Sequence, residues 1–207
     1  MSHDHSKPVP RRPATDAGTA RAVVDAVVET HFEEFRSLWV HCLAVSQSPD
    51  LSAADLRGWE DRARAHLDGL LVAGEPLVPW LRDRLNDDDS SAVFAAAYLL
   101  LSMNRTSTVQ PVLDLLSSAS GPQLTGIRDA LAHAPLAQAP LDQVLDALPN
   151  LLQSAPANGC AVAAYALACH GRLDVRFRRW DELMAHENPE VRRTAWRAAA
   201  MVDLNRQ

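Results

Sequence analysis

The feature that most constrains this chain is an alanine-rich helical pattern that recurs along it. The clearest copy runs from Glu187 to Val202: a polar turn, a proline at the first helical turn, then an amphipathic run. Equivalent positions of four copies lie 31, 36 and 31 residues apart, at Val93, Leu124, Cys160 and Val191. That period fits two helices and a turn, and one such pair cannot bury its apolar face alone. The spacing therefore predicts an all-α solenoid.

Four helical pairs are predicted in residues 75–207. Their first and second helices are 76–85 with 92–103, 109–116 with 123–132, 141–152 with 159–169, and 175–184 with 190–202. Ala97-Tyr98, Ala164-Tyr165 and Ala195-Trp196 fall in register, which predicts that a small residue allows close packing and the aromatic fills the gap beside it. Pro149 lacks a backbone donor and crowds the preceding turn, so we expect it to kink or split its helix.

Two longer helices are predicted before the repeats, in residues 18–74. Apolar residues recur at three- and four-residue steps over 23–43 and again over 56–71. Between these runs, Ser52 and Asp55 have the spacing of a capping box. We expect an antiparallel hairpin that caps the repeats and packs with them as one continuous domain.

Composition argues against several classes of protein. The net charge of −6 is opposite to that of a generic binder of nucleic acid or anionic membranes. Cys42, Cys160 and Cys169 lie within apolar helical patterns, which predicts reduced, buried thiols and a cytoplasmic protein. No run reaches the roughly 18 apolar residues of a membrane span. Residues 1–17 are polar and contain three prolines, which predicts a disordered tail without a signal peptide.

The sequence Asn-Pro-Glu-Val-Arg-Arg-Thr-Ala at 188–195 resembles the second helix of a HEAT-type repeat. Residues 20–105 resemble a family of bacterial HEAT-like proteins of unknown biochemical role. The residues that carry this second resemblance are His31–Glu34, Leu38–Trp39, Ala65–Leu70 and Ala92–Ala97. Genes of that family often lie beside type VI secretion spike and effector genes, and its members are longer than this chain. The resemblance therefore implies a solenoid of HEAT-like helical hairpins behind a two-helix N-terminal cap.

No motif for catalysis stands out in this sequence. It contains no Gly-rich phosphate loop, no Gly-x-Ser-x-Gly elbow and no Cys-x-x-Cys pair. We therefore expect a non-enzymatic protein-binding module that needs no cofactor. The resemblance implies an adaptor, chaperone or immunity protein, with a secreted effector or a spike component as its partner. Candidate contact residues are Trp80, Trp180, Arg179, Arg193 and Arg197, because exposed aromatic and arginine side chains are common in binding surfaces.

The end of the predicted repeat array bears on self-association. No polar capping helix follows the last pair, which ends near Val202. A solenoid needs such a cap to stay soluble. We therefore expect either self-association through the C-terminal repeat or further repeats beyond Gln207.

Two alternative functions remain open. His31 and His66, on helices expected to be antiparallel, are the best pair for a metal-dependent enzyme, although a metal needs three or more converging ligands. The region from Arg176 to Arg197 holds six arginines that suit a nucleic-acid-binding face, but acidic residues are interleaved with them. In HEAT-type repeats the arginine after valine often pairs with an aspartate of the neighbouring unit, which would make Arg192 structural.

Overall fold

The computed structural model describes residues 17–46, 48, 52–136, 142–174 and 176–204. All regular structure within these ranges is helical, which confirms the predicted all-α class. The helices are α1 Ala17–Ser46, α2 Ala53–Ala73, α3 Val78–Arg84, α4 Ser90–Ser102, α5 Thr106–Leu115, α6 Gly121–His133, α7 Asp142–Ser154, α8 Ala157–Cys169, α9 Trp180–Met184 and α10 Pro189–Leu204. A 3-10 turn, Glu75–Leu77, precedes α3. The predicted tail lies outside the described residues except for Ala17, the first residue of α1.

α1 and α2 pack against each other, and the predicted capping box starts α2. The Ser52 hydroxyl accepts the Asp55 backbone N–H, and the Asp55 carboxylate accepts the Ser52 N–H at 2.9 Å. Satisfying these otherwise unpaired donors is what makes the motif a helix start. α1 also reaches the repeats, because the Trp39 ring stacks on Phe94 of α4 with 4.1 Å between ring centroids.

The second helices of the predicted pairs pack on one another in chain order. α4 contacts α6, α6 contacts α8, and α8 contacts α10, while α1 contacts α4. The first helices of the predicted pairs lie beside this row, with α3 and α5 on α4, α7 on α8, and α9 on α10. α4 and α8 have neighbours on both sides, and nine of the 13 residues in each are buried. This explains why those two helices are alanine-rich and apolar all round.

Two glycines allow the row to pack closely. A Cβ added to Gly126 of α6 would lie 2.6 Å from the Ser90 carbonyl oxygen and 2.7 Å from the Phe94 backbone nitrogen. A Cβ added to Gly159 of α8 would overlap the Leu116 carbonyl that follows α5. At both positions the side chain must be absent for the backbones to approach this closely.

The first helices differ most from the prediction. The expected helix 175–184 is wrong for residues 176–179, because the helix spans only Trp180–Met184. Residues 176–179 contain turns instead, and the Asp174 carboxylate accepts the Arg176 N–H at 2.8 Å. Pro149 does not split its helix, since α7 continues through it. Pro149 is exposed, so its ring points away from the packed interior.

The buried residues form one large core cluster and two small ones. The large cluster extends from Phe32 in α1 to Leu167 in α8. The two small clusters join α8 to the last two helices and contain few buried side chains: Cys160, Ala161, Leu183, Val191 and Ala195 in one, and Ala164, Ala168 and Ala198 in the other. The C-terminal end of the molecule is therefore attached through a much smaller core.

Candidate functional site

A cleft of about 530 Å³ lies between α7 and residues 173, 174 and 176–179. We call it the α7 cleft. Leu152, Leu173 and Phe177 give it an apolar wall, and all three are partly buried. Arg176 and Arg178 also line it and are exposed, whereas Arg179 is partly buried. The cleft thus combines apolar surface with guanidinium groups, which suits a ligand that has both apolar and acidic groups.

Arg179 holds the α7 cleft together. Its Nη1 donates to the Leu152 and Ala155 carbonyl oxygens, both at 3.1 Å. Its Nε and Nη2 donate to the two Glu182 carboxylate oxygens at 2.7 and 2.6 Å, and these bonds lower the pKa of Glu182. A guanidinium has five N–H donors, so most of this one is used within the chain. Arg179, predicted as a contact residue, is placed here as an anchor for the cleft wall.

The two predicted contact tryptophans lie in different places. Trp180 is partly buried beside the α7 cleft, and its ring meets Phe177 edge-on at 5.1 Å between centroids. Trp80 is also partly buried, but it packs against Phe32 of α1 at 4.8 Å and lies under the Arg84 guanidinium at 5.0 Å. Trp80 belongs to α3, and these contacts place its ring against α1, away from the C-terminal surface. The structure therefore brings Trp180 and Arg179 together and leaves Trp80 apart.

The outer face of α10 is the second exposed surface at this end. It consists of Arg193, Trp196, Arg197, Ala200 and Asp203, all exposed. Trp196 is 60% exposed, which is unusual for so large an apolar side chain. Arg193 forms an ion pair with Glu190 one turn earlier, at 2.5 Å.

Trp196 is the surface residue that the register argument missed. Alignment with Tyr98 and Tyr165 predicted that it fills a gap between helices, and both tyrosines are indeed partly buried. α10 packs on α8 and α9, and Trp196 lies on the side of α10 turned away from the buried Val191, Ala195 and Ala198. The one sequence signal for this exposure is that Trp196 lies in the last of the predicted repeats.

Arg192 has a structural role with a different partner from the one expected. Its Nη1 donates to the His186 and Glu187 carbonyl oxygens at 2.6 and 2.7 Å, instead of to an aspartate in a neighbouring unit. The same turn is tied by Asn188, whose side-chain oxygen accepts the Glu190 N–H at 2.9 Å. Arg192 therefore fixes the turn into α10.

The two candidate metal ligands do meet. His31 of α1 and His66 of α2 lie with their Nδ1 atoms 3.0 Å apart and their ring centroids 5.0 Å apart. This hydrogen bond requires one ring to carry the Nδ1 proton and the other to accept it. Within the ranges that the structure describes, no group of three or more His, Cys, Asp and Glu side chains is placed to hold a metal ion. The pair thus explains how the hairpin is joined.

The six arginines between residues 176 and 197 do not form one free basic face. Arg179 and Arg192 are bound to carbonyl groups, and Arg193 is paired with Glu190. Arg176, Arg178 and Arg197 are exposed and take part in none of these bonds. Three such guanidinium groups are few for a protein that holds a nucleic-acid backbone by charge.

Comparison of the chain with protein-family models, curated proteins and solved structures found no match. No helix in the described part of the chain is both long enough and apolar enough to cross a membrane. What the protein does must therefore be inferred from its own surfaces.

Proposed function

We propose that this chain is a non-enzymatic protein-binding module whose helical pairs form a HEAT-like α-solenoid. The chain-order packing of α4, α6, α8 and α10, with α3, α5, α7 and α9 beside them, supports this arrangement. Such a fold offers long surfaces made by successive helices, and these surfaces bind partners without chemistry.

The α7 cleft is the observation that carries this proposal. Its apolar wall, Leu152, Leu173 and Phe177, accepts an apolar side chain of a partner. Arg176 and Arg178 are exposed at the same cleft, where they complement carboxylates on either side of that anchor. Asp174 also lines the cleft, but its carboxylate accepts the Arg176 backbone N–H. The partner is therefore an acidic protein segment with an apolar anchor.

The biological setting rests on the resemblance alone. Residues 188–195 and the N-terminal stretches from His31 to Ala97 support a bacterial, cytoplasmic adaptor, chaperone or immunity protein. The partner in that setting is a type VI secretion effector or a spike component.

Affinity capture from the native host tests the proposal. Wild-type protein and the double variant Arg176→Glu/Arg178→Glu are used as baits, with captured proteins quantified by mass spectrometry. We expect a protein partner that the double variant captures at least about tenfold less, since two charge reversals oppose an acidic ligand. Arg57→Glu/Arg64→Glu, on exposed positions of α2, is the matched control and should capture as wild type does. Failure to capture any partner, or equal capture by all three baits, contradicts the proposal.

The contact between His31 and His66 supports a second candidate function, that of a metal-dependent enzyme. Metal analysis of the purified chain decides it. A transition metal bound at a near-unit ratio and lost in His66→Ala would replace the binding-module proposal. A metal-free protein would remove this candidate.

A further inference from the structure

The outer face of α10 carries a regular stripe. Residues Val191, Ala195 and Ala198 are buried on the side that faces α8 and α9. On the opposite side, four exposed residues follow one another at steps of three, four and three: Arg193, Trp196, Ala200 and Asp203. This is the spacing of a and d positions in a coiled coil, and here it faces solvent.

The order of side chains along this stripe is self-complementary. In an antiparallel pair of helices, an a position of one helix faces a d position of the other. With a two-fold axis on the outer side of α10, at the level of residue 198 along the helix, Trp196 of one copy faces Ala200 of the other, and Arg193 faces Asp203. A large ring therefore meets a methyl group, and a guanidinium meets a carboxylate, each twice by symmetry.

We propose that α10 pairs with α10 of a second copy of this chain, antiparallel and along this stripe. One stripe supplies both members of each facing pair: Arg193 with Asp203 at its ends, and Trp196 with Ala200 between them. A second copy of the chain is therefore complementary to this stripe. Arg193 already binds Glu190, and Asp203 also has a polar interaction within its chain. The contacts between copies therefore extend existing polar interactions. This pairing goes beyond the binding of a partner at the α7 cleft and does not depend on it.

The pairing is weak and reversible. α10 has 16 residues and is about 24 Å long, so one helix from each copy buries less surface than a standard interface of about 800 Å² per partner. We expect a dissociation constant in the micromolar range or above.

Sedimentation velocity of the full chain over about 1 to about 500 µM tests this pairing. Wild type should shift from monomer to dimer with concentration. Arg193→Asp and Asp203→Arg should each raise the dissociation constant at least about tenfold, because each places like charges opposite one another. The double variant Arg193→Asp/Asp203→Arg exchanges the two charges and should restore dimerisation. Trp196→Ala should also weaken it.

Arg57→Asp on α2 is the matched control, since it makes the same charge change at an exposed position off the stripe. It should leave the dissociation constant unchanged, and circular dichroism verifies that each variant is helical. A wild-type monomer at every concentration overturns the pairing. So does a double variant as weak as the single ones, or a dimer that none of the substitutions changes. Capture through the α7 cleft is measured separately with Arg176 and Arg178, so either proposal can fail alone.

Discussion

Asp89 shows how one side chain can start a helix and also link it to a second helix. Its Oδ1 accepts the Ser91 N–H at 2.8 Å and the Ser91 hydroxyl at 2.7 Å, at the beginning of α4. Its Oδ2 accepts Arg36 Nη1 of α1 at 3.0 Å. The Ser91 bonds, with Arg36 contributing less, lower the pKa of Asp89. A carboxyl whose pKa is lower in the folded state stabilises the fold above its unfolded pKa, and this contribution is lost as pH falls.

We therefore expect Asp89→Ala to reduce the free energy of unfolding by about 1 kcal/mol at neutral pH. Urea titrations at about pH 7 and about pH 2 should show this difference shrinking in acid, as the wild-type carboxyl takes up a proton. Asp88→Ala, at the exposed neighbouring position, is the control and should change stability little. An equal loss at both pH values would disprove the assigned role of the charge.

The three cysteines agree with the expectation of free thiols, though only Cys42 and Cys160 are buried and Cys169 is partly exposed. Burial raises the pKa of Cys160 to about 11, and it also raises the pKa of the other two. Since the thiolate is the reactive form, native protein should react slowly with a thiol reagent near pH 7.5. All three should react at once after unfolding in urea. Fast native labelling of Cys160 would contradict its burial.

At the scale of elements, Gly126 and Gly159 set how closely α6 and α8 approach their neighbours. Gly126→Ala and Gly159→Ala should each lower the free energy of unfolding by about 2 kcal/mol or more, because the new methyl group meets backbone atoms that have little room to move. Gly58→Ala is the matched control: it is exposed within α2, with nothing within 4 Å of an added Cβ. It should raise stability by about 0.5–1 kcal/mol. Chemical denaturation of the three variants measures these changes, and a neutral Gly126→Ala would show that the helices adjust.

The elements that the sequence predicted best are the long ones with local signals. The repeated helical pattern predicted α4, α6, α8 and α10 to within a few residues, and the Ser52 capping box was predicted from spacing alone. α9 was overestimated, since the contacts of Arg179 with the Leu152 and Ala155 carbonyls join residues 24 and more positions apart. No local pattern encodes such contacts. The α7 cleft depends on these contacts, so it could not be predicted from the sequence.

Within the candidate sites, the sequence predicted residue types better than their exposure. It placed His31 and His66 on facing helices, and they do touch. It also selected Arg179 and Arg193, whose guanidinium groups prove to be bound within the chain. The register of Trp196 predicted a buried side chain, but the side chain is exposed. Residue type alone does not show which side of α10 packs against α8 and α9.

At the scale of the whole molecule, charge argues against nucleic acid as the ligand. The net charge is −6, and most of the arginines between residues 178 and 193 are bound within the chain. We expect no binding to duplex DNA at about 50 mM salt, since phosphate contacts need several free cations. Fluorescence anisotropy with a labelled duplex measures this. Binding that weakens steeply with salt and is lost in Arg176→Glu/Arg178→Glu would establish a nucleic-acid interface instead.

The unequal core clusters have a kinetic consequence. α10 is held mainly by small side chains, such as Ala164, Ala168 and Ala198, whereas α4 lies within the large cluster. Because the two small clusters contain few buried side chains, we expect the last two helices to open as a separate unit of local unfolding. Amide hydrogens of α10 should thus exchange with deuterium through an opening that leaves those of α4 protected. A partner that contacts both α4 and α10 would slow this exchange. The exchange rate of α10 would then report binding even when the partner has not been identified.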